Sequence, residues 1–251
     1  MIQFRPILLA LGLMVCLLAV AMLLPLAVDY ADGHSSGLVF AISALVTLFI
    51  GVLMMLFAYD ARPVRAGLRE AFLLTGLCWT LVPAFAAIPF LGLGLPVADA
   101  VFEGVSALTT TGATVITNLD SQPRGILLWR ALLQGIGGLG IIVVAILILP
   151  FLRIGGMQLF QTESSDRSEK VLPRAYELVS AICGTFITLV LACMVTYMAL
   201  GMSPFDAICH ALPTVATGGF STHDQSFGYF QPAALHWAAI VFMICGALPF
   251  V

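Results

Sequence analysis

Two short stretches combine glycine with threonine inside otherwise apolar sequence: Thr109-Thr-Thr-Gly-Ala-Thr114 and Val215-Ala-Thr-Gly-Gly-Phe220. Glycine allows backbone conformations that turn carbonyls toward an axis. A row of such carbonyls, with threonine hydroxyls at the mouth, can replace the water shell of a cation. For either stretch alone, a helix-packing patch is an equal reading. Their recurrence favours an ion filter, with Thr110, Thr111 and Gly112 in one part and Ala216, Thr217 and Gly218 in the other, acting mainly through backbone carbonyls.

Ionisable residues lie close to both stretches. Asp99 and Asp206 begin the segments leading into them, where a carboxylate caps free helix N–H groups. Glu103 has two readings. It holds the nearby loop through backbone N–H groups, the favoured one, or it adds negative potential at an entrance. Arg130 is expected to pair with a carboxylate or carbonyl of the loop, and Asp120 and Asp224 follow the two stretches at an outer mouth.

Other chemistry is weaker. Gly135-Ile-Gly-Gly-Leu-Gly140 matches a dinucleotide fingerprint in letters, but no strand and soluble helix surround it, so it reads as close helix packing. Gly104-Val-Ser-Ala-Leu108 falls one glycine short of a nucleophile elbow. The histidines (His34, His210, His223, His236) lack metal-ligand spacing, and the six cysteines lie in apolar runs without a CxxC pair. The expectation is a protein without enzymatic activity and without an organic cofactor.

The elements that must position these residues follow from composition. The chain has 251 residues, of which 61% are hydrophobic and 9% charged, against about 45–50% apolar and about 25% charged in soluble domains. Such a chain cannot cover a soluble surface with polar groups, which excludes a soluble enzyme, a disordered protein and, with a net charge of −3, a nucleic-acid binder. Six charge-free runs read as membrane-crossing helices: 7–28, 37–58, 71–98 (its helix ending near Phe90), 131–152 (starting near Ile126), 178–205 and 232–251. The acidic turn Asp29–His34 joins the first two. The intervening segments 99–117 and 206–221 are re-entrant, each with a short helix, about 98–108 in the first. The loops 62–69 and 153–174, with Arg5, carry eight of the ten basic residues, so the N-terminus is placed in the cytoplasm and both re-entrant segments dip from outside.

An internal repeat supports this layout. Asp99 and Asp206, Gly112 and Gly218, Gln122-Pro123 and Gln231-Pro232, and Trp129 and Trp237 correspond at an offset of roughly 107 residues. The fold class is an all-α membrane protein: two N-terminal transmembrane helices (1–60), a helix–pore-loop–helix repeat (61–152), a cytoplasmic connector (153–174) and a second such repeat (175–251).

Ala107-Leu-Thr-Thr-Thr-Gly-Ala-Thr-Val115 and the run from Trp129 to Val143 closely resemble the Trk-type potassium-uptake membrane subunits of bacteria. Ala216-Thr-Gly-Gly-Phe-Ser221 resembles that family's second repeat, and the extra N-terminal helix pair is similar to the Trk rather than the Ktr branch. The resemblance implies four potassium-channel-like repeats around one pathway for K+, the transported ion, in the bacterial inner membrane. It also implies a cytoplasmic nucleotide-binding regulatory subunit. Only two repeats are present, and the third, which carries the family's intramembrane gating loop, is absent. The chain is therefore expected to be the N-terminal half of a longer subunit whose C-terminal repeats complete the pore, or a half-size protein that forms a homodimer in the lipid bilayer. The alternative is a non-conducting truncated or regulatory protein that assembles with intact subunits.

Overall fold

The computed structural model describes residues 3–60, 67–152 and 168–248. Helices dominate them, with no strand among the described residues. The helices are α1 (Phe4–Ala21), α2 (Leu23–Ala31), α3 (Ser36–Phe57), α4 (Leu68–Ala86), α5 (Ile88–Gly92), α6 (Val97–Leu108), α7 (Arg124–Leu152), α8 (Ser168–Ala199), α9 (Pro204–Val215) and α10 (Ala233–Ala247). Among the described residues, four helical stretches are long and apolar enough to cross a membrane: Phe4–Ala31, Ser36–Phe57, Arg69–Gly92 and Glu177–Ala199. On α3, Leu38, Ile42, Leu45, Phe49, Leu53 and Leu56 are exposed, an apolar face suited to lipid.

Prolines divide two of these stretches. Pro25 cannot donate to the Ala21 carbonyl and Pro89 cannot donate to Phe85, and each ring crowds that carbonyl. The helices accordingly break at Met22, between α1 and α2, and at Ala87, between α4 and α5. The third apolar stretch ends at Gly92, two residues beyond Phe90.

Other boundaries moved. Helix α8 begins at Ser168, inside the connector expected over 153–174, and ends at Ala199, within the run 178–205. Gly201, with φ +102°, and Pro204 stop it, and the latter opens α9. Residues 153–167 lie outside the described residues. Asp29 does not belong to an open turn. It is 0% exposed and accepts a hydrogen bond from the Gly125 N–H at 2.5 Å, so a carboxylate of α2 meets the partly positive start of α7.

The two largest apolar clusters are centred on Trp129 and on Tyr197. Trp129 of α7 packs edge-on against Phe40 of α3, with ring centroids 6.3 Å apart, and donates its indole N–H to Ala86 O of α4 at 3.1 Å. Tyr197 of α8 is buried with Val215, Ala211 and Leu235, and its hydroxyl meets Thr214 Oγ1 at 2.9 Å. Helix α7 contacts both α6 and α9, which makes it the shared wall between the two halves.

Candidate functional site

Helices α6 and α9 end alike. After α6, Thr110 N–H bonds to Ala107 O at 3.2 Å and Thr111 N–H to Ser106 O at 2.9 Å. After α9, Thr217 N–H bonds to Thr214 O at 3.1 Å and Gly218 N–H to Pro213 O at 2.7 Å. Both are Schellman endings, which require a left-handed residue just past the cap. Glycine usually fills that position. Here it is threonine twice, Thr110 at φ +53° and Thr217 at φ +52°. A β-branched residue there costs roughly 1–3 kcal/mol, a strain that persists only where the surroundings impose it.

A second positive φ follows two residues later in each segment, Gly112 at +76° and Gly219 at +82°. This corrects the sequence register by one residue. The backbone counterpart of Gly112 is Gly219 rather than Gly218, and the counterpart of Thr110-Thr111-Gly112 is Thr217-Gly218-Gly219. Ala216 corresponds to Thr109, at the helix cap. Gly218 and Gly219 are adjacent, so letters alone permit either pairing, whereas the torsions pair Gly219, at positive φ, with Gly112.

Beyond Thr110 the chain folds back along α6. Ser106 Oγ donates to Ala113 O at 2.5 Å, and Thr114 Oγ1 and Val115 N–H donate to the Glu103 carboxylate at 2.9 and 3.1 Å. Glu103 is fully buried, and Arg130 Nε donates to its Oε1 at 2.7 Å. Arg130 also donates to Ser221 O, in the second segment, at 3.0 Å, and stacks over the Phe220 ring. One α7 side chain thus holds a carboxylate beside the first segment and a carbonyl of the second. Enclosed in this way, the Glu103 carboxylate accepts hydrogen bonds from both the first segment and α7.

Neither aspartate sits at a cap position. Asp99 lies in the first turn of α6 behind Pro96, the N-cap, which has no side-chain oxygen to offer. On α9 the capping residue is Ser203, whose Oγ accepts from the Asp206 N–H at 3.1 Å and donates to Asp206 Oδ2 at 2.7 Å. The spacing Ser203-Pro-Phe-Asp206 was legible as a capping signal. Asp206 has further partners: its Oδ1 accepts from Thr222 Oγ1 at 2.8 Å, and its backbone O is bonded by the His210 ring.

The loops that follow are tied to each other. Leu119 N–H donates to Asp224 Oδ1 at 3.0 Å, Asp224 N–H donates to Asp120 Oδ2 at 3.3 Å, and the His223 ring bonds Asp120 Oδ1. His223 also stacks on Tyr229. The hydrogen bond from His223 holds the exposed Asp120 carboxyl below the usual carboxylate range, helped by the Asp224 N–H.

The two segments touch. A β-carbon added at Gly112 would overlap the Gly218 carbonyl oxygen. Added at Gly137 it would overlap the Leu108 carbonyl, and at Gly246 the Val215 carbonyl. In both halves, therefore, a glycine of the following helix admits the C-terminal end of the short helix. The glycine run 135–140 lies inside α7, where Gly135 meets Leu212 and Gly138 meets Ala216. The residue that sequence reasoning missed is Gln134. It is buried on α7, one turn after Arg130, and its Oε1 accepts from Phe220 N–H at 3.0 Å. A glutamine within an apolar span, four residues after an arginine on the same face, was the available signal.

These features define a helical membrane protein in which non-helical backbone is braced between helices. Residues 37–251 match the family described as TrkH, Cation transport protein. The chain is 41% identical to the Trk system potassium uptake protein TrkI of Halomonas elongata, over 99% of this chain and 51% of that protein. It is 43% identical to the Trk system potassium uptake protein TrkH of Vibrio parahaemolyticus, over 99% of this chain and 52% of that protein. The crystal structure of the potassium transporter TrkH from Vibrio parahaemolyticus matches with a TM-score of 0.86 at 40% identity, over 99% of this chain and 51% of that one. The chain belongs to the TrkH cation transport family, and it spans about half the length of these relatives.

Proposed function

We propose that the chain forms half of a potassium path through the bacterial inner membrane. Residues 1–60 supply a transmembrane hairpin, 61–152 and 175–251 two helix–pore-loop–helix repeats, and 153–174 the cytoplasmic connection between them, with the N-terminus on the cytoplasmic side. The pore-loop carbonyls belong to Thr110, Thr111 and Gly112 and to Thr217, Gly218 and Gly219. Oxygens placed around an axis exchange with the hydration shell of K+, so entry needs little net dehydration energy. Helices α6 and α9 point their partly negative C-terminal ends into the same two segments, which favours a cation there. Two further segments close the ring, from additional repeats or from a second copy, and a cytoplasmic nucleotide-binding ring regulates the assembly.

The observation that carries this reading is the repeated backbone: strained threonine, then glycine at positive φ, behind the same Schellman ending in both halves. The relatives' names supply the ion. The test is rubidium uptake by the protein in its native assembly, produced in a potassium-uptake-deficient strain. Restored, saturable uptake is expected. An assembly that reaches the membrane and co-purifies with an intact relative, yet adds no cation uptake, would replace this reading with the non-conducting alternative.

A further inference from the structure

Gln134 has one polar atom that the bracing network does not use. Its side chain is 0% exposed, and its Oε1 is committed to the Phe220 N–H at 3.0 Å. Because a backbone N–H can only donate, the amide oxygen must face Phe220 and the NH2 must face the other way. Nε2 is then a buried donor with no acceptor among the described residues, an arrangement proteins rarely leave without purpose. Its position is specific. A β-carbon built on Gly218 would lie 2.5 Å from the amide carbon and 2.7 Å from Nε2, and one built on Gly112 would lie 3.7 Å from Nε2. The amide therefore packs against Gly218, at the joint where the two segments meet.

We propose that Gln134 is a positioning residue for ion preference. It anchors the second segment through Phe220, and its NH2 group donates to a carbonyl of the Gly112–Gly218 joint whenever no ion of fitting size holds that carbonyl toward the path. A fitting ion competes with the amide for the oxygen and wins. A smaller ion, which the carbonyls reach poorly, loses to it. Gln134 thus penalises the wrong ion without touching it. The proposal rests on the reading of these segments as a filter.

The test compares Gln134→Leu, Gln134→Glu and Gly112→Ser in the native assembly, by membrane abundance and by the ratio of rubidium to sodium uptake. Leucine removes both amide functions. Glutamate keeps an oxygen for Phe220 N–H and replaces the donor with an acceptor, so it isolates the NH2 group. Both Gln134 variants are expected to lower the rubidium-to-sodium ratio by about tenfold while sodium uptake is retained. A purely structural role would lower abundance and maximal uptake with the ratio unmoved. A ratio within about twofold of the parent in either Gln134 variant, where Gly112→Ser lowers it, overturns the role of Gln134 alone. A ratio unmoved in Gly112→Ser as well overturns the filter reading, and this proposal with it. If the leucine variant does not reach the membrane, the glutamate variant decides.

Discussion

Glu103 and Arg130 form an ion pair, Nε to Oε1 at 2.7 Å, in which neither side chain is more than 1% exposed. Each partner has a second task. Glu103 accepts from Thr114 and Val115 in the first segment, and Arg130 donates to Ser221 in the second. Removing one partner leaves the other charge buried and unpaired, at a cost of about 3–5 kcal/mol. Glu103→Ala and Arg130→Ala should each lower the thermal midpoint and the membrane abundance sharply. The double replacement Glu103→Leu with Arg130→Met should recover much of the stability, because no charge is left unpaired, and should not recover uptake, because the link between segments is gone. Equal stability of the single variants and the parent would contradict the bracing role.

The close approach of α7 to the end of α6 depends on Gly137. A β-carbon there overlaps the Leu108 carbonyl, and rigid helix backbone cannot yield as a side chain would. Gly137→Ala should therefore destabilise by about 1–3 kcal/mol, the usual range for overpacking. Gly76, on α4, has nothing within 4 Å of an added β-carbon, so Gly76→Ala should be neutral or slightly stabilising, as alanine suits a helix better. Thermal unfolding in detergent separates the two, and similar midpoints would count against the packing described.

The loop tie through Asp120 should weaken in acid. The His223 hydrogen bond depresses the carboxyl's pKa in the folded protein. A depressed carboxylate stabilises above its unfolded value, and that contribution disappears as pH falls through the lower folded value. Hydrogen exchange at the Leu119 and Asp224 amides should therefore be slow at neutral pH and accelerate, beyond the intrinsic change, only as pH falls below about 4. Asp120→Asn should exchange faster at neutral pH and lose the additional acid dependence. Exchange identical to the parent would remove Asp120 from the tie.

Much of the helical layout was legible because its causes are local. Charge-free runs gave the apolar helices, and prolines at 83, 89 and 96 marked the late part of the run 71–98, although Pro83 is absorbed within α4 and the break before Pro25 falls in a run read as one span. The short helix expected over 98–108 is Val97–Leu108. What stayed hidden depends on backbone torsions or on distant partners. Letters could not decide whether Gly218 or Gly219 is the counterpart of Gly112, since only the φ of +82° at Gly219 distinguishes them. Asp29 read as part of an acidic turn because its partner, the Gly125 N–H, is 96 residues away. Gln134 passed as one letter of a glycine-rich helix, and its meaning came from Phe220, 86 residues on.

The central claim is that two backbone segments, related residue for residue, form part of one cation filter. Rubidium and sodium uptake by Gly112→Ser and Gly219→Ser, in the native assembly and at matched membrane abundance, tests it most directly. Both positions require positive φ, so both serines should distort the carbonyl row in the same way. Each should lower the rubidium-to-sodium ratio by about tenfold or more. Ratios equal to the parent's in both variants would contradict the filter. A loss in Gly112→Ser with none in Gly219→Ser would contradict the equivalence of the two segments.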